Sequence, residues 1–246
     1  DRHKVIIASK AGYVLPAQRR LVARIKPFVR PLIRLLKLRR SALPSSVRGA
    51  PTQDFSAGYL RQAVEASLRR LGTDHLDLYQ LHSPSAEAVA RGDWLPALED
   101  LKKAGKIRYW GISVDTIEAG QAALKFPGMS SLQLVVSMLE RRPSQALVPL
   151  AHERGVPVIG RECLANGLLV KDEKDVDLAA FFSTAEERAQ RADQLAEYRR
   201  TAKERGIPLA TLALEYASGL PGVGVTLVGT KSEAQLRDLL RLLPRR

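Results

Sequence analysis

The side chains of this chain best placed to do chemistry are His82 and Lys10, each standing where an apolar, β-prone run ends. Residues 76–81 (Leu-Asp-Leu-Tyr-Gln-Leu) have the nearly continuous apolar pattern of a strand covered on both faces, and His82 closes the run before Ser83 and Pro84. Strand ends are where α/β barrels keep their chemistry, so His82 reads either as a working group at a barrel mouth or as a structural histidine. Lys10 follows the run 5–9 in the same way, and composition alone reads it as a solvated strand-end lysine. Tyr13, three residues on, has no spacing that marks it as an acid. Cys163 is the single cysteine, which excludes a disulfide framework and a cysteine-built zinc site. Without a histidine-and-acid partner nearby, it reads as a packed thiol and not a nucleophile. His3, His75 and His152 lack metal-ligand spacing, and no metal is expected.

The elements that must hold these groups follow one pattern. The segment before His82 is written as a helix end turning into a strand, with Arg69 and Arg70 in the last turn and Gly72 after the last apolar position. Ser56 can cap this helix, which runs to Leu71 with an apolar face of Leu60, Ala63, Val64, Ser67, Leu68 and Leu71. Beyond it the pattern predicts a helix over 93–104 stopped by Gly105, then a strand over 108–113. Asp115-Thr116-Ile117-Glu118 has capping-box spacing and opens a helix to about Lys125. Strands over 132–136, 156–160 and 223–228 alternate with helices over 144–154, 184–205, 208–218 and 232–242. With 5–9 these make six strands, each followed by a helix and with no hairpin signal between them, which implies a parallel sheet. No strand is followed by a Gly-x-Gly-x-x-Gly turn, which favours a barrel over a doubly wound dinucleotide fold.

At 246 residues the chain is expected to form one domain over 1–246, and its 45% hydrophobic content is ordinary for a globular protein. A net charge of +13 suggests an anionic partner until it is located. Residues 17–48 hold ten cations (Arg19, Arg20, Arg24, Lys26, Arg30, Arg34, Lys37, Arg39, Arg40, Arg48) and no acid; +13 less ten leaves +3 for the rest. The excess therefore belongs to one insertion-like segment, 17–53, after the first strand. Leu21, Ile25, Phe28 and Leu32 recur at helical spacing, and Pro27 and Pro31 favour short helices starting near them. Three readings stand: a lid over the barrel mouth, an interfacial element over 21–40 for anionic membranes, or a partner-docking element. The cations could also steer an acidic or phosphorylated substrate. Nucleic acid is disfavoured because aromatics for base stacking are scarce there. No run approaches the roughly 18 apolar residues of a spanning helix, and the chain opens without an apolar leader, so a cytoplasmic setting is expected.

The run Ala66-Ser67-Leu68-Arg69-Arg70-Leu71-Gly72-Thr73-Asp74-His75-Leu76-Asp77-Leu78-Tyr79-Gln80-Leu81-His82 resembles the aldo-keto reductase signature. Lys4-Val5-Ile6-Ile7-Ala8-Ser9-Lys10 is similar to that family's third barrel strand, and Gly105-Lys106-Ile107-Arg108-Tyr109-Trp110-Gly111-Ile112-Ser113 to its fifth. Val228-Gly229-Thr230-Lys231-Ser232-Glu233-Ala234-Gln235-Leu236 resembles its phosphate-binding segment. The likeness runs through the chain in order, the basic segment excepted. It implies an α/β fold of the (β/α)8 TIM-barrel type, of which six strands are present and the first two strand units lie upstream of Asp1.

The resemblance also implies an activity: hydride transfer between NADP(H), less often NAD(H), and a small carbonyl compound or alcohol. Lys10 then matches the lysine that lowers the pKa of a catalytic tyrosine, and His82 the histidine that orients and polarises the carbonyl. A carbonyl under reduction becomes an alkoxide, so such a site needs a tuned acid and donors aimed at the oxyanion. The family's tyrosine and aspartate belong to the upstream units. Ser113 and Gln133 match residues that hold the nicotinamide carboxamide, with Val114 where asparagine is usual. Arg161 stands where many members stack an aromatic ring on the nicotinamide, and its charge would favour the reduced form. Gly229, Thr230, Lys231 and Ser232 suit a phosphate at a helix start, and Gln235 fits the adenine side, although Asp238 and Leu239 replace a common Glu-Asn. The alternative is a nucleotide-binding relative with a regulatory or non-reductive role. Mixing the protein with anionic liposomes at low salt separates two readings of the basic segment: a lid leaves the protein in the supernatant, and an interfacial helix sediments it.

Overall fold

The computed structural model describes residues 2–14, 52–230 and 232–242, so the readings made for the basic segment up to residue 51 and for Lys231 fall outside the described residues. The strands are β1 (Ala8–Ala11), β2 (Tyr13–Val14), β3 (Thr52–Gln53), β4 (Leu76–His82), β5 (Ile107–Ser113), β6 (Leu132–Val135), β7 (Val158–Arg161) and β8 (Val223–Thr226). Six of them form one sheet in the order β1-β4-β5-β6-β7-β8, and every pairing is parallel. A doubly wound sheet reverses its order at a switch point, whereas this order never reverses. Each crossover advances by one strand in the same direction, the winding of an α/β barrel.

The helices are α1 (Ala57–Leu71), α2 (Ala86–Arg91), α3 (Leu95–Lys103), α4 (Ile117–Ala123), α5 (Arg142–Glu153), α6 (Ala185–Glu204), α7 (Leu209–Gly219) and α8 (Glu233–Leu242). Their caps are local. Ser56 Oγ accepts from the Tyr59 N–H at 3.3 Å, and Gly72 ends α1 in the left-handed region at φ 62°. The buried stripe of α1 is Leu60, Val64, Ser67 and Leu68; Leu71, one turn beyond Leu68, is 50% exposed and lies off the expected face. Leu60, Val64 and Leu68 join Leu98, Leu101, Trp94, Trp110, Leu132, Leu147 and Val158 in a core between the helices and the sheet. A smaller cluster of Leu139, Leu168, Leu195 and Tyr198 lies under α6, whose remaining surface is polar.

Several boundaries differ from the sequence expectation, each for a local reason. Helix α2 was not expected; Ser85 accepts from the Ala88 N–H at 3.2 Å and Gly92 closes the helix at φ 68°. Strand β7 starts two residues late because the Val156 N–H donates to the Ala151 carbonyl in the exit turn of α5, and it extends to include Arg161. Thr116, not Asp115, caps α4, accepting from the Ala119 N–H at 3.2 Å. Residues 52–53, at the end of the insertion-like segment, pair antiparallel with β2 as a two-residue ribbon. Gly111 lets β5 approach β6, since a Cβ there would lie 2.3 Å from Ser131 Oγ.

Strand β1 starts at Ala8 and not at Val5 because a carboxylate intervenes. The Ile7 N–H donates to Asp77 Oδ2 at 2.8 Å, so the ladder with β4 begins one residue later. Val5 and Ile6 are left exposed. The Asp77 carboxylate also meets Arg2 at 2.8 Å and Arg108 at 2.9 Å, and its side chain is only 9% exposed. Burial pushes its pKa up, but the Ile7 N–H and the two guanidiniums outweigh that and hold it below the ordinary 3.8. Its stabilising effect is therefore complete above pH 3.8 and is lost as pH falls through the lowered value. Asp77→Asn is expected to cost on the order of 2 kcal/mol in urea unfolding at pH 7, and that difference should vanish in strong acid.

Candidate active site

Parallel register carries the chemically useful side chains to one edge. Lys10 lies opposite Gln80, His82 opposite Ser113, Ser113 opposite Gln133, and Val135 opposite Arg161. All these strands run the same way, so their C-terminal ends form a common rim. There Lys10, Tyr13, His82, Ser83, Ser113, Asp115, Val135, Arg161 and Glu162 line an open cavity of about 580 Å³. Of the residues expected from sequence, Lys10, His82, Ser113 and Arg161 meet in this cavity. Gln133 is buried beside Ser113 in the ladder. Gly229 and Thr230 are exposed in the loop after β8, the neighbour of β7, and do not line the cavity. Ser232 Oγ accepts from the Gln235 N–H at 3.3 Å and so caps the ten-residue α8, with Gln235 in its first turn.

Two non-glycine residues at the rim lie in the left-handed region, Ser83 at φ 55° directly after His82 and Glu162 at φ 56° directly after Arg161. Such conformations persist only where the surroundings hold them. The Ser83 N–H donates to the Ser113 carbonyl at 2.8 Å, and the Ser83 carbonyl accepts from Gln53 Nε2 at 2.8 Å. Glu162 pairs with Arg161 and accepts from Asn166 Nδ2 at 3.1 Å.

Arg161 is fixed on three sides. Its guanidinium pairs with Asp115 and with Glu162 and donates to the Val114 carbonyl at 3.2 Å. Because Thr116 takes the capping role in α4, the Asp115 carboxylate is available for this contact. Burial lowers the pKa of Lys10, the positive Arg161 lowers it further, and Asp115 acts against both. His82 is also shifted down, by burial first and then by Lys10, with Asp115 opposing and Arg161 adding to the shift. Its ordinary value is 6.5, so the imidazole at pH 7 is neutral and can donate one N–H. Lys10, neutral His82 and the paired Arg161 thus offer donors to an oxygen in the cavity, in surroundings that weaken full positive charge.

Side chains near the rim could hold parts of a nicotinamide dinucleotide. Ser113 and Gln133 place a hydroxyl and an amide side by side on β5 and β6, suited to a carboxamide, and Arg161 offers a planar surface. The start of α8, capped by Ser232, suits a phosphate. Sequence reasoning missed Ser83, Asp115, Val135 and Glu162 as lining residues and set Tyr13 aside. The strand-end rule carries the signal for Asp115 and Glu162, which follow β5 and β7 within two residues.

The chain matches the model of the Aldo/keto reductase family over residues 1–245. It is 32% identical over 188 residues to the uncharacterized oxidoreductase YqkF of Bacillus subtilis (strain 168), covering 75% of this chain and 60% of that protein. It is 30% identical over 224 residues to Protein tas of Escherichia coli (strain K12), covering 78% of this chain and 64% of that protein. The chain thus spans about three fifths of the length of these relatives. Among solved structures it is similar to the holo form of aldo-keto reductase AKR11C1 from Bacillus halodurans, with a TM-score of 0.73, 28% identity, and coverage of 98% of this chain and 68% of that one. Among the described residues, no cluster suited to a metal ion is found, and no helix is long and apolar enough to cross a membrane.

Cys163, two residues beyond β7, is 1% exposed within the main core, and burial pushes its thiol up to about 11. At pH 8 the native thiol is expected to react with a disulfide reagent at least about tenfold more slowly than the unfolded chain, whose thiol titrates near 8.5. Equal rates in the absence and presence of denaturant contradict the packed-thiol reading.

Proposed function

We propose that this chain, which belongs to the aldo/keto reductase family, serves hydride transfer between a nicotinamide nucleotide and a small aldehyde or ketone, or the corresponding alcohol, with NADP(H) ahead of NAD(H). The observation that carries the proposal is the meeting of Lys10 and His82 in one cavity beside Ser113 and Arg161. When bound, the nucleotide supplies the hydride; orientation and charge stabilisation fall to the side chains.

His82 is assigned the carbonyl oxygen. As a neutral imidazole it donates an N–H to that oxygen, and the bond strengthens as negative charge develops there. Lys10 is assigned to the electrostatics of proton delivery: its half-buried ammonium lowers the cost of negative charge on a neighbouring acid. The tyrosine that the family pairs with this lysine has no match among these residues, so the proposal covers the lysine and histidine part of the reaction. Ser113 and Gln133 are assigned to the carboxamide, and the segment from Gly229 to Ser232 to the phosphates. Arg161 is assigned the face of the nicotinamide. With Asp115 and Glu162 both paired to it, its charge is largely balanced, so the preference for the reduced ring expected from the sequence should be small.

A non-reducing, nucleotide-binding role is the second reading. What favours it is Val114, whose side chain is 2% exposed and apolar, so it gives the carboxamide no side-chain donor where the family commonly has an asparagine.

The direct test follows NADPH absorbance with the full-length protein and a panel of aldehydes and ketones. Oxidation by wild type is expected, with kcat reduced about 100-fold by His82→Gln and by Lys10→Met. Because burial and the neighbouring cations lower the His82 pKa, the rate should fall in acid as the imidazole gains a proton, with a midpoint below 6.5. NADPH binding with no turnover on any carbonyl overturns the reductase reading in favour of the second one.

A further inference from the structure

Strand β1 pairs with β4 only as far as Ala11 opposite Leu81, one residue short of His82. Gly12 then leaves the ladder at φ 146°, where a Cβ would lie 2.5 Å from Phe55 Cε1 and 3.1 Å from the His82 carbonyl. The last residue of β4 thus loses the neighbour that would satisfy its backbone on the β1 side, and a backbone carbonyl there needs another donor. The β2–β3 ribbon provides it. Gln53 Nε2 donates to the His82 carbonyl at 3.3 Å and to the Ser83 carbonyl at 2.8 Å. The second of these bonds holds a residue in the left-handed region. Directly opposite Gln53 in the ribbon is Tyr13, whose ring stands edge to face with the His82 imidazole, centroids 4.7 Å apart and planes at 84°. The ribbon is itself anchored: Tyr59 on α1 donates its hydroxyl to the Tyr13 carbonyl at 3.1 Å, and the Asp54 N–H donates to Gly12 at 2.8 Å.

We propose that this ribbon is a positioning clamp on His82, in which Tyr13 sets the plane of the imidazole and Gln53 fixes the backbone that carries it. The proposal rests on the assignment of His82 to the carbonyl oxygen, and both residues act through His82. An imidazole at a strand end can rotate about its side-chain bonds, and a donor misplaced by about 1 Å costs on the order of 100-fold in rate. An aromatic edge contact restricts that rotation and adds roughly 0.5–1.5 kcal/mol beyond the area buried. The charged groups acting on His82 come from other elements, Lys10 on β1, Asp115 after β5 and Arg161 on β7, so replacing ribbon residues leaves that electrostatic environment in place.

The test combines imidazole NMR of the full-length protein without nucleotide with carbonyl turnover. Tyr13→Ala is expected to raise the His82 titration midpoint toward 6.5, because the ring that shields it is gone, and to lower kcat about tenfold with the KM for NADPH unchanged. Tyr13→Phe keeps the ring and should restore both. Gln53→Ala removes an exposed side chain, so it is expected to fold, which far-UV circular dichroism checks, and it should broaden the His82 ring signals; it carries the test if Tyr13→Ala does not fold. His82 signals unchanged in both Tyr13→Ala and Gln53→Ala overturn the clamp, as does a Tyr13→Phe variant that behaves like Tyr13→Ala. The NMR arm needs no activity, so a wild type that reduces no carbonyl fails the reductase reading and leaves the clamp to be judged on His82 alone.

Discussion

The constraint on which the rest of this structure depends is the register of a parallel ladder. Lys10 faces Gln80, His82 faces Ser113, Ser113 faces Gln133, and Val135 faces Arg161, so residues scattered from Lys10 to Arg161 finish at one end of the sheet. A slip of one residue in any pairing would turn the affected side chains to the opposite face of the sheet. The register is held by apolar burial along Leu76, Leu81, Trp110, Ile112, Leu132 and Leu134, and at the end opposite the rim by Asp77 with Arg2 and Arg108. The two ends of the sheet divide the labour: one stabilises, and the other leaves polar groups facing a cavity.

Electrostatics at that cavity follows from what the ladder brings together. Three groups that can be positive, Lys10, His82 and Arg161, would oppose one another in a half-buried space. Two features relieve the conflict. Asp115 and Glu162 pair with the guanidinium, while burial first, and then repulsion from Arg161 on Lys10 and from Lys10 and Arg161 on His82, lowers the pKa values of the other two. A neutral histidine beside a destabilised ammonium suits a reaction in which negative charge appears on an oxygen and then takes a proton. The backbone contributes as well, since Ser83 and Glu162 occupy left-handed positions directly after His82 and Arg161 and are held there by bonds to the neighbouring strand, the ribbon and Asn166.

Much of this was legible in the sequence because it is locally determined. Ser56 and Gly72 mark helix ends by the chemistry of their own side chain or backbone, and the structure places them as expected. The alternation of strands and helices, and His82 at a strand end, follow from periodicity. What escaped depends on distant partners. The start of β1 is set by Asp77, 70 residues away, and Asp115 is drawn to Arg161 across 46 residues while Thr116 does the capping. The β2–β3 ribbon has two residues per strand, too few for any period, and its partners stand on either side of the long basic segment. Tyr13 therefore looked unremarkable beside Lys10, although its ring packs against the His82 imidazole.

The central claim is that Lys10 and His82 share one cavity closely enough to act on one oxygen. The measurement that tests it most directly is the NMR titration of His82 in the wild type and in Lys10→Met, without nucleotide. Burial alone keeps His82 low in both, but removing the ammonium should raise its midpoint part of the way toward 6.5. A midpoint identical in the two proteins would show that the lysine and the histidine do not sense each other, and would contradict the account.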